Sequence, residues 1–275
     1  MSSLSAAPSR STVEDFARFS ALLVTENGGE FELEEWQRDV LDDVFAGTRE
    51  VVCLLPKKNG KTTLLAAFAL YHLLVTRDAR CYVGAASRDQ ATLMYDHARG
   101  FVARTPRLAG LLDVKAGYRE IRSRHDGGFL RVKAADANTT DGVGPTLALV
   151  DELHRHKTNQ LYAVFRDGLG PRDGQIVTIS TAGEAPDTPL GVMRAAALQL
   201  PNQSRDDFHL RAASADGGYV LHEWAVPDGE DTDDVGIVKR ANPASFMTVG
   251  QLRQRRESAS MHERDWLRYA CNRWV

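Results

Sequence analysis

Long apolar runs, cysteines and an excess of either charge are all scarce in this sequence, and each shortage removes a class of function. No stretch approaches the roughly 20 apolar residues that span a bilayer, so no membrane partner is expected. The opening MSSLSAAPSRST lacks the basic start and apolar core of a secretory signal, and the chain is expected to stay in the cytoplasm. Only three cysteines occur, Cys53, Cys81 and Cys271, an odd number without metal-type spacing, and they read as reduced core residues. The formal net charge is −3, so any DNA contact has to come from local basic patches rather than from bulk charge. What is present is 275 residues, 43% of them hydrophobic, enough for one large α/β domain or a domain with an appendage.

The most informative stretch is residues 51–63, VVCLLPKKNGKTT, in which an apolar strand breaks into a basic loop and reopens as the amphipathic segment LLAAFALYHLL. Such a loop at a helix N-terminus cradles phosphate: backbone N–H groups and the helix dipole favour an anion, Lys61 reaches the terminal phosphates, and the Thr62 hydroxyl has a place on Mg²⁺. Lys57, Lys58, Asn59, Gly60 and Thr63 complete the loop. The P-loop pattern asks for glycine at position 55, where Leu55 stands instead, so the match is partial.

The second anchor is PTLALVDELHRHK: Leu147 to Val150 form a buried strand that delivers Asp151 and Glu152 at its carboxyl end, where open α/β sheets bind ligands. Asp151 is suited to hold Mg²⁺ and Glu152 to activate a water. His154 and His156 find no third ligand cluster and read as solvated or as hydrogen-bonded behind the site. A further strand, QIVTIS, ends in Ser180, Thr181, Ala182 and Gly183, either a γ-phosphate sensor or a plain turn. Upstream, Thr12 caps a helix expected to carry Val13, Phe16, Phe19, Leu22 and Leu23, and Ser87 and Gln90 form a capping box. Trp36 and Gln37 either read an adenine, by stacking and by amide hydrogen bonds, or are core and solvated residues. Lys115, Arg119, Arg122, Arg124, Arg131 and Lys133 lie on two short strands around residues 125–128, a solvated edge or a contact with DNA or a neighbouring subunit.

Together, WQ at 36–37, PKKNGKTT, SRDQATLMYDHA, the apolar-DELH segment, STAG at 180–183, KRANPA at 239–244 and ERDWLRYACNRWV at 263–275 resemble the ATPase domain of the large terminase subunit of tailed bacteriophages, in its HK97-like branch. In that family the first P-loop glycine is often missing and a basic residue near Lys57 contacts phosphate. The resemblance implies a P-loop NTPase of the additional-strand, catalytic-glutamate type: a mostly parallel sheet flanked by helices, with a further strand between those bearing Lys61 and Asp151. It divides the chain into a disordered segment 1–10, an ATPase core 11–200, and a small, mainly helical lid with an interdomain junction over 201–275. It makes Trp36 and Gln37 base contacts, Ser180 to Gly183 a coupling element, and ATP with Mg²⁺ the cofactors. It implies double-stranded DNA, a portal protein and a small terminase subunit as partners, and a homo-oligomeric ring on the procapsid in the host cytoplasm. An arginine acting from a neighbouring subunit is also implied. The stretch before the Asp151 strand, TTDGVGP, offers Asp141 and no arginine, which leaves Arg88, Arg131, Arg166 and Arg172 as candidates. The alternatives are another P-loop DNA translocase or helicase, or a nucleotide-gated assembly module without sustained turnover.

Two-metal DNA cleavage needs about three carboxylates converging on ions roughly 4 Å apart. The acidic run Asp228, Glu230, Asp231, Asp233 and Asp234 lies in a polar segment with no strand to hold it in register, and the chain ends after the junction-like stretch. The purified chain is therefore expected to leave supercoiled plasmid intact in Mg²⁺ or Mn²⁺. Nicking abolished by changing Asp231 and Asp233 to Asn would reverse that expectation.

Overall fold

The structure, a computed structural model, describes residues 11–134 and 142–275, apart from the side chains of Arg88, Asp89 and Ala134. The segment 1–10 and Asp141 thus lie outside the described residues. Ten strands form one sheet: β1 (Glu50–Leu54), β2 (Arg80–Ala85), β3 (Leu112–Lys115), β4 (Glu120–Ser123), β5 (Phe129–Ala134), β6 (Leu147–Asp151), β7 (Gln175–Ser180), β8 (Asn202–Asp206), β9 (His209–Ala213) and β10 (Tyr219–Trp224). Their order is β3-β4-β5-β2-β6-β7-β1-β10-β9-β8. The six strands from β5 to β10 in that order pair in parallel, and each end carries an antiparallel extension. β7 lies between β1 and β6, the inserted strand that the family resemblance implied.

Alternation along the central strands feeds two cores, as a period of two requires. Val51 and Cys53 point to one face, under α1 (Val13–Ser20), α2 (Glu35–Ala46), α3 (Lys61–Val75), α4 (Arg88–Arg104) and α5 (Pro106–Leu111). Val52 and Leu54 point to the other, against α6 (Gln160–Asp167) and α7 (Pro189–Ala197). A third cluster joins α8 (Val235–Arg240), α9 (Val249–Arg256) and α10 (Glu263–Tyr269) around Trp266. Among the described residues no helix is long and apolar enough to cross a membrane.

Three expectations change. The helix after the P-loop is not amphipathic: Leu64 through Tyr71 are all buried, because α3 is covered by α1 and α4 as well as by the sheet. The segment from residue 201 does not open as a helical lid. It first supplies β8, β9 and β10, and β10 completes the parallel sheet beside β1, so the helical body starts beyond Trp224. The basic hairpin spends charge internally, since Arg122 and Arg131 both pair with the buried Glu120, and Lys115 pairs with Asp113. Capping is as expected at Thr12, which accepts from the Asp15 N–H, whereas only half of the expected box forms at Ser87: its hydroxyl accepts from the Gln90 N–H, but Gln90 Oε1 finds no partner among the described residues.

The added strands are locked to α2 by a polar cluster. Asp43 accepts from Arg211 Nε at 2.8 Å, and His222 Nε2 lies 2.8 Å from the same carboxylate. His222 Nδ1 meets His209 Nε2 at 3.0 Å, and the His209 ring stacks on Trp224 with centroids 3.8 Å apart. Burial works to raise the Asp43 carboxyl, yet Arg211 and His222 outweigh it and hold it at about 2. A depressed carboxyl stabilises the fold above its unfolded value of 3.8, and that stabilisation is lost as pH falls toward 2. Asp43→Ala is expected to cost about 1–3 kcal/mol, less than a fully buried pair because Arg211 keeps some water. Thermal melts of both proteins should converge as pH falls from 4 to 2, because over that range the unfolded chain takes up the proton that the folded carboxylate still refuses.

Candidate active site

β1 delivers the loop 55–60, and its hydrogen bonds explain the missing glycine. Leu55 is fully buried, its N–H donates to Ser180 O at 3.1 Å, and its φ is not positive, so a side chain is tolerated there. The left-handed residues are instead Lys58 (φ 73) and Gly60 (φ 84), which turn the chain into α3. An added Cβ at Gly60 would lie 3.2 Å from the Phe246 ring. Lys61 is buried, its ammonium donating to Leu55 O at 2.7 Å, Pro56 O at 2.9 Å and Thr181 Oγ1 at 3.2 Å. Burial lowers its pKa, with Glu152 pulling the other way.

At the end of β6, Asp151 is buried, one carboxylate oxygen receiving the Thr62 hydroxyl at 3.4 Å while the other finds no partner among the described residues. A buried, half-unpartnered carboxylate beside a hydroxyl is a hard-oxygen donor set that fits Mg²⁺. Burial and the neighbouring Glu152 push Asp151 up to about 7. Glu152 adopts φ 51 and is pinned by its N–H to Ile179 O at 2.9 Å. Burial works to raise its carboxyl, but His154, Lys61 and Lys57 outweigh it and hold it at about 2. The ammonium and both carboxylates thus gather over three adjacent strand ends, β6, β7 and β1, the arrangement that holds a phosphate chain, a cation and a water.

The segment 180–183 is threaded into this cluster and is no plain turn. Ser180 Oγ accepts from the His154 N–H at 3.1 Å, and Thr181 meets Lys61. The Ala182 N–H donates to Asn272 Oδ1 at 2.7 Å, and Ala182 O accepts from Arg268 Nε at 2.8 Å. Gly183 packs so closely on Trp274 that a Cβ would fall 2.6 Å from its ring. The P-loop is bolted to the same C-terminal body: Asn59 Nδ2 donates to Asn242 Oδ1 at 2.9 Å, and Asn242 Nδ2 donates to Ala270 O at 2.8 Å. Lys57 Nζ lies 3.3 Å above the Tyr269 ring, turned toward this body.

Beside Gly60 and Thr63 lies a cavity of about 430 Å³, lined also by Phe31, Gln37, Phe101 and Phe246. Gln37 belongs to it, with its Oε1 engaged by the Glu34 N–H at 3.1 Å. Trp36 does not. It is 2% exposed and meets Trp224 edge-on at 6.0 Å, so the expectation that its ring stacks on a base is corrected to a core role. The exposed aromatic at the cavity is Phe246, 50% accessible, which nothing local in the sequence marked. His154 and His156 are buried rather than solvated, and burial lowers His156 to about 4.

Of the arginine candidates, Arg131 is held by Glu120, and Arg166 pairs with Asp167 at 3.0 Å. Arg172 and Arg166 precede the amino end of β7, the end opposite Ser180, and the Arg88 side chain lies outside the described residues. Of the acidic run, Asp233 pairs with Arg256 and Asp234 caps α8. Among the described residues no group of three His, Cys, Asp or Glu side chains surrounds one metal position.

Comparison with known proteins agrees with this fold. The large terminase subunit of Enterobacteria phage HK97 is 26% identical over 250 residues, 86% of this chain and 45% of that protein, so the chain spans less than half of its relative. The crystal structure of the HK97 large terminase superposes with a TM-score of 0.81 at 21% identity, over 95% of this chain and 55% of that one. The ATPase domain of the Thermus phage P74-26 large terminase gives 0.63 at 13% identity, over 89% and 95% of the two chains. The large terminase of another thermophilic bacteriophage, solved in complex with ADP, gives 0.58 at 9% identity, over 88% and 53%. The family model for the ATPase domain of the terminase large subunit matches residues 35–193, and with the site built as above the chain belongs to that family.

Proposed function

We propose that this chain hydrolyses ATP with Mg²⁺ and uses the cycle to drive double-stranded DNA into a procapsid. The observation that carries the reading is the gathering of Lys61, Asp151 and Glu152 over three adjacent strand ends, with one Asp151 oxygen left unpartnered. Thr62 and Asp151 would hold the metal, which when bound neutralises charge on the phosphates. Lys61 exchanges its loop carbonyls for the terminal phosphates, and Glu152 takes a proton from the attacking water. Gln37 and Phe246 hold the base in the cavity next to Gly60, the ring by stacking. Thr181, in contact with Lys61, and Ala182, in contact with Arg268 and Asn272, carry the change in phosphate occupancy to the C-terminal body.

On this reading the chain works in a homo-oligomeric ring with a portal protein and a small terminase subunit, transiently at the procapsid vertex in the host cytoplasm. An arginine of a neighbouring subunit completes the site, with Arg88, Arg131, Arg166 and Arg172 the residues to screen.

Glu152→Gln is expected to keep ATP binding while lowering turnover by on the order of 10²-fold or more, the loss general-base removal brings. Phosphate release measured with and without EDTA tests both the base and the metal, and near-native hydrolysis by the variant would sink the assignment. Phe246→Ala should raise KM for ATP roughly 10-fold with little change in kcat, since base stacking is worth about 1–3 kcal/mol. An unchanged KM would move the base elsewhere.

A further inference from the structure

Glu152 has little backbone freedom. Its N–H is held by Ile179 O at 2.9 Å, its carbonyl accepts from the Arg155 N–H at 2.9 Å, and its φ of 51 already sits in the left-handed region. Whatever holds its carboxylate therefore decides where the base points. The group that reaches it is His154, whose side chain is 2% exposed and whose Nδ1 stands 3.0 Å from Glu152 Oε2 and 3.0 Å from Ser180 Oγ.

The proton on Nδ1 can be placed. Ser180 Oγ donates its own hydrogen to Thr181 O at 3.1 Å and accepts the His154 backbone N–H at 3.1 Å. A bare nitrogen lone pair facing a carboxylate oxygen at 3.0 Å would be repelled. Nδ1 therefore carries the hydrogen and directs it to Ser180 Oγ, while Glu152 Oε2 lies 3.0 Å from the same nitrogen without an aligned hydrogen bond of its own among the described residues. Since the His154 backbone is also tied to Ser180, the imidazole moves with the end of β7. Lys57 and Arg268 are the other charged groups that influence it.

We propose that His154 is a positioning residue for the hydrolytic base: with its Nδ1–H held on Ser180 and the same nitrogen 3.0 Å from Glu152 Oε2, the imidazole limits where the carboxylate points, and the end of β7 sets the imidazole. The inference rests on Glu152 being the base. Because Thr181 contacts Lys61 while Ser180 contacts His154, one strand end touches both the ammonium and the imidazole that faces the Glu152 carboxylate.

The test is steady-state ATP hydrolysis by His154→Ala, His154→Asn, His154→Gln and Glu152→Gln beside the unchanged chain, with melting curves for each. An asparagine amide N–H falls where Nδ1–H is, whereas the longer glutamine places its amide near the Nε2 position. His154→Ala is expected to lower kcat about 10-fold with KM within roughly 3-fold, as for a misplaced but present base. His154→Asn should recover most of that loss and His154→Gln should not. Unchanged kcat in His154→Ala, equal losses in the Asn and Gln variants, or a loss confined to KM would overturn the proposal. If the alanine variant does not fold, the Asn and Gln pair decides alone. Absence of Glu152-dependent turnover in the unchanged chain would instead defeat the parent reading, and this one with it.

Discussion

A buried ammonium organises the molecule. Lys61 has left water, and a charge in that position persists only where oxygens and carboxylates surround it. Two loop carbonyls and the Thr181 hydroxyl supply the near contacts, and Asp151 and Glu152 the compensating charge. The sheet order serves this requirement. With β7 inserted between β1 and β6, the ammonium follows one strand and the carboxylates end another, one strand apart.

That insertion gives β7 its place in the chemistry. Its backbone is paired on both sides, with Ser180 O holding the Leu55 N–H and Ile179 O holding the Glu152 N–H, so the P-loop and the carboxylate turn hang from the same strand end. The contacts beyond Ser180, from Ala182 to Asn272 and Arg268 and from Gly183 to Trp274, run into the C-terminal body. A second route to that body leaves directly from the P-loop through Asn59 and Asn242. The end of β7 and the P-loop thus have two physically separate connections to the same C-terminal body.

What was legible in the sequence was local. A lysine-glycine loop between apolar segments, two carboxylates after an apolar strand and small hydroxyl residues at another strand end are each set by a few neighbouring residues. What was missed depends on residues far apart in the chain. Trp36 is core because Trp224 packs against it, and neither position announces the other. β8 consists of exposed polar residues with no apolar alternation, and β10 is a strand because β1 and β9 flank it. Phe246 faces the cavity because the fold brings its loop over Gly60. For His154 the sequence left solvation and a hydrogen bond behind the site both open, and the fold decides by bringing Ser180 beside it.

The register of β1 also bears on how the molecule is made. Val51 pairs with Val177 on one side and with Val220 on the other, so the strand that carries the phosphate loop borrows both neighbours from much later sequence. During synthesis an emerging chain exposes Val51 to Leu54 as an unpaired apolar edge until β7 and β10 have left the ribosome. Non-local pairing of this kind folds slowly and leaves such edges open to wrong partners. Asn59 waits longer still, since its partner Asn242 comes after the last strand. The phosphate loop is therefore finished only after segments far downstream of it have emerged.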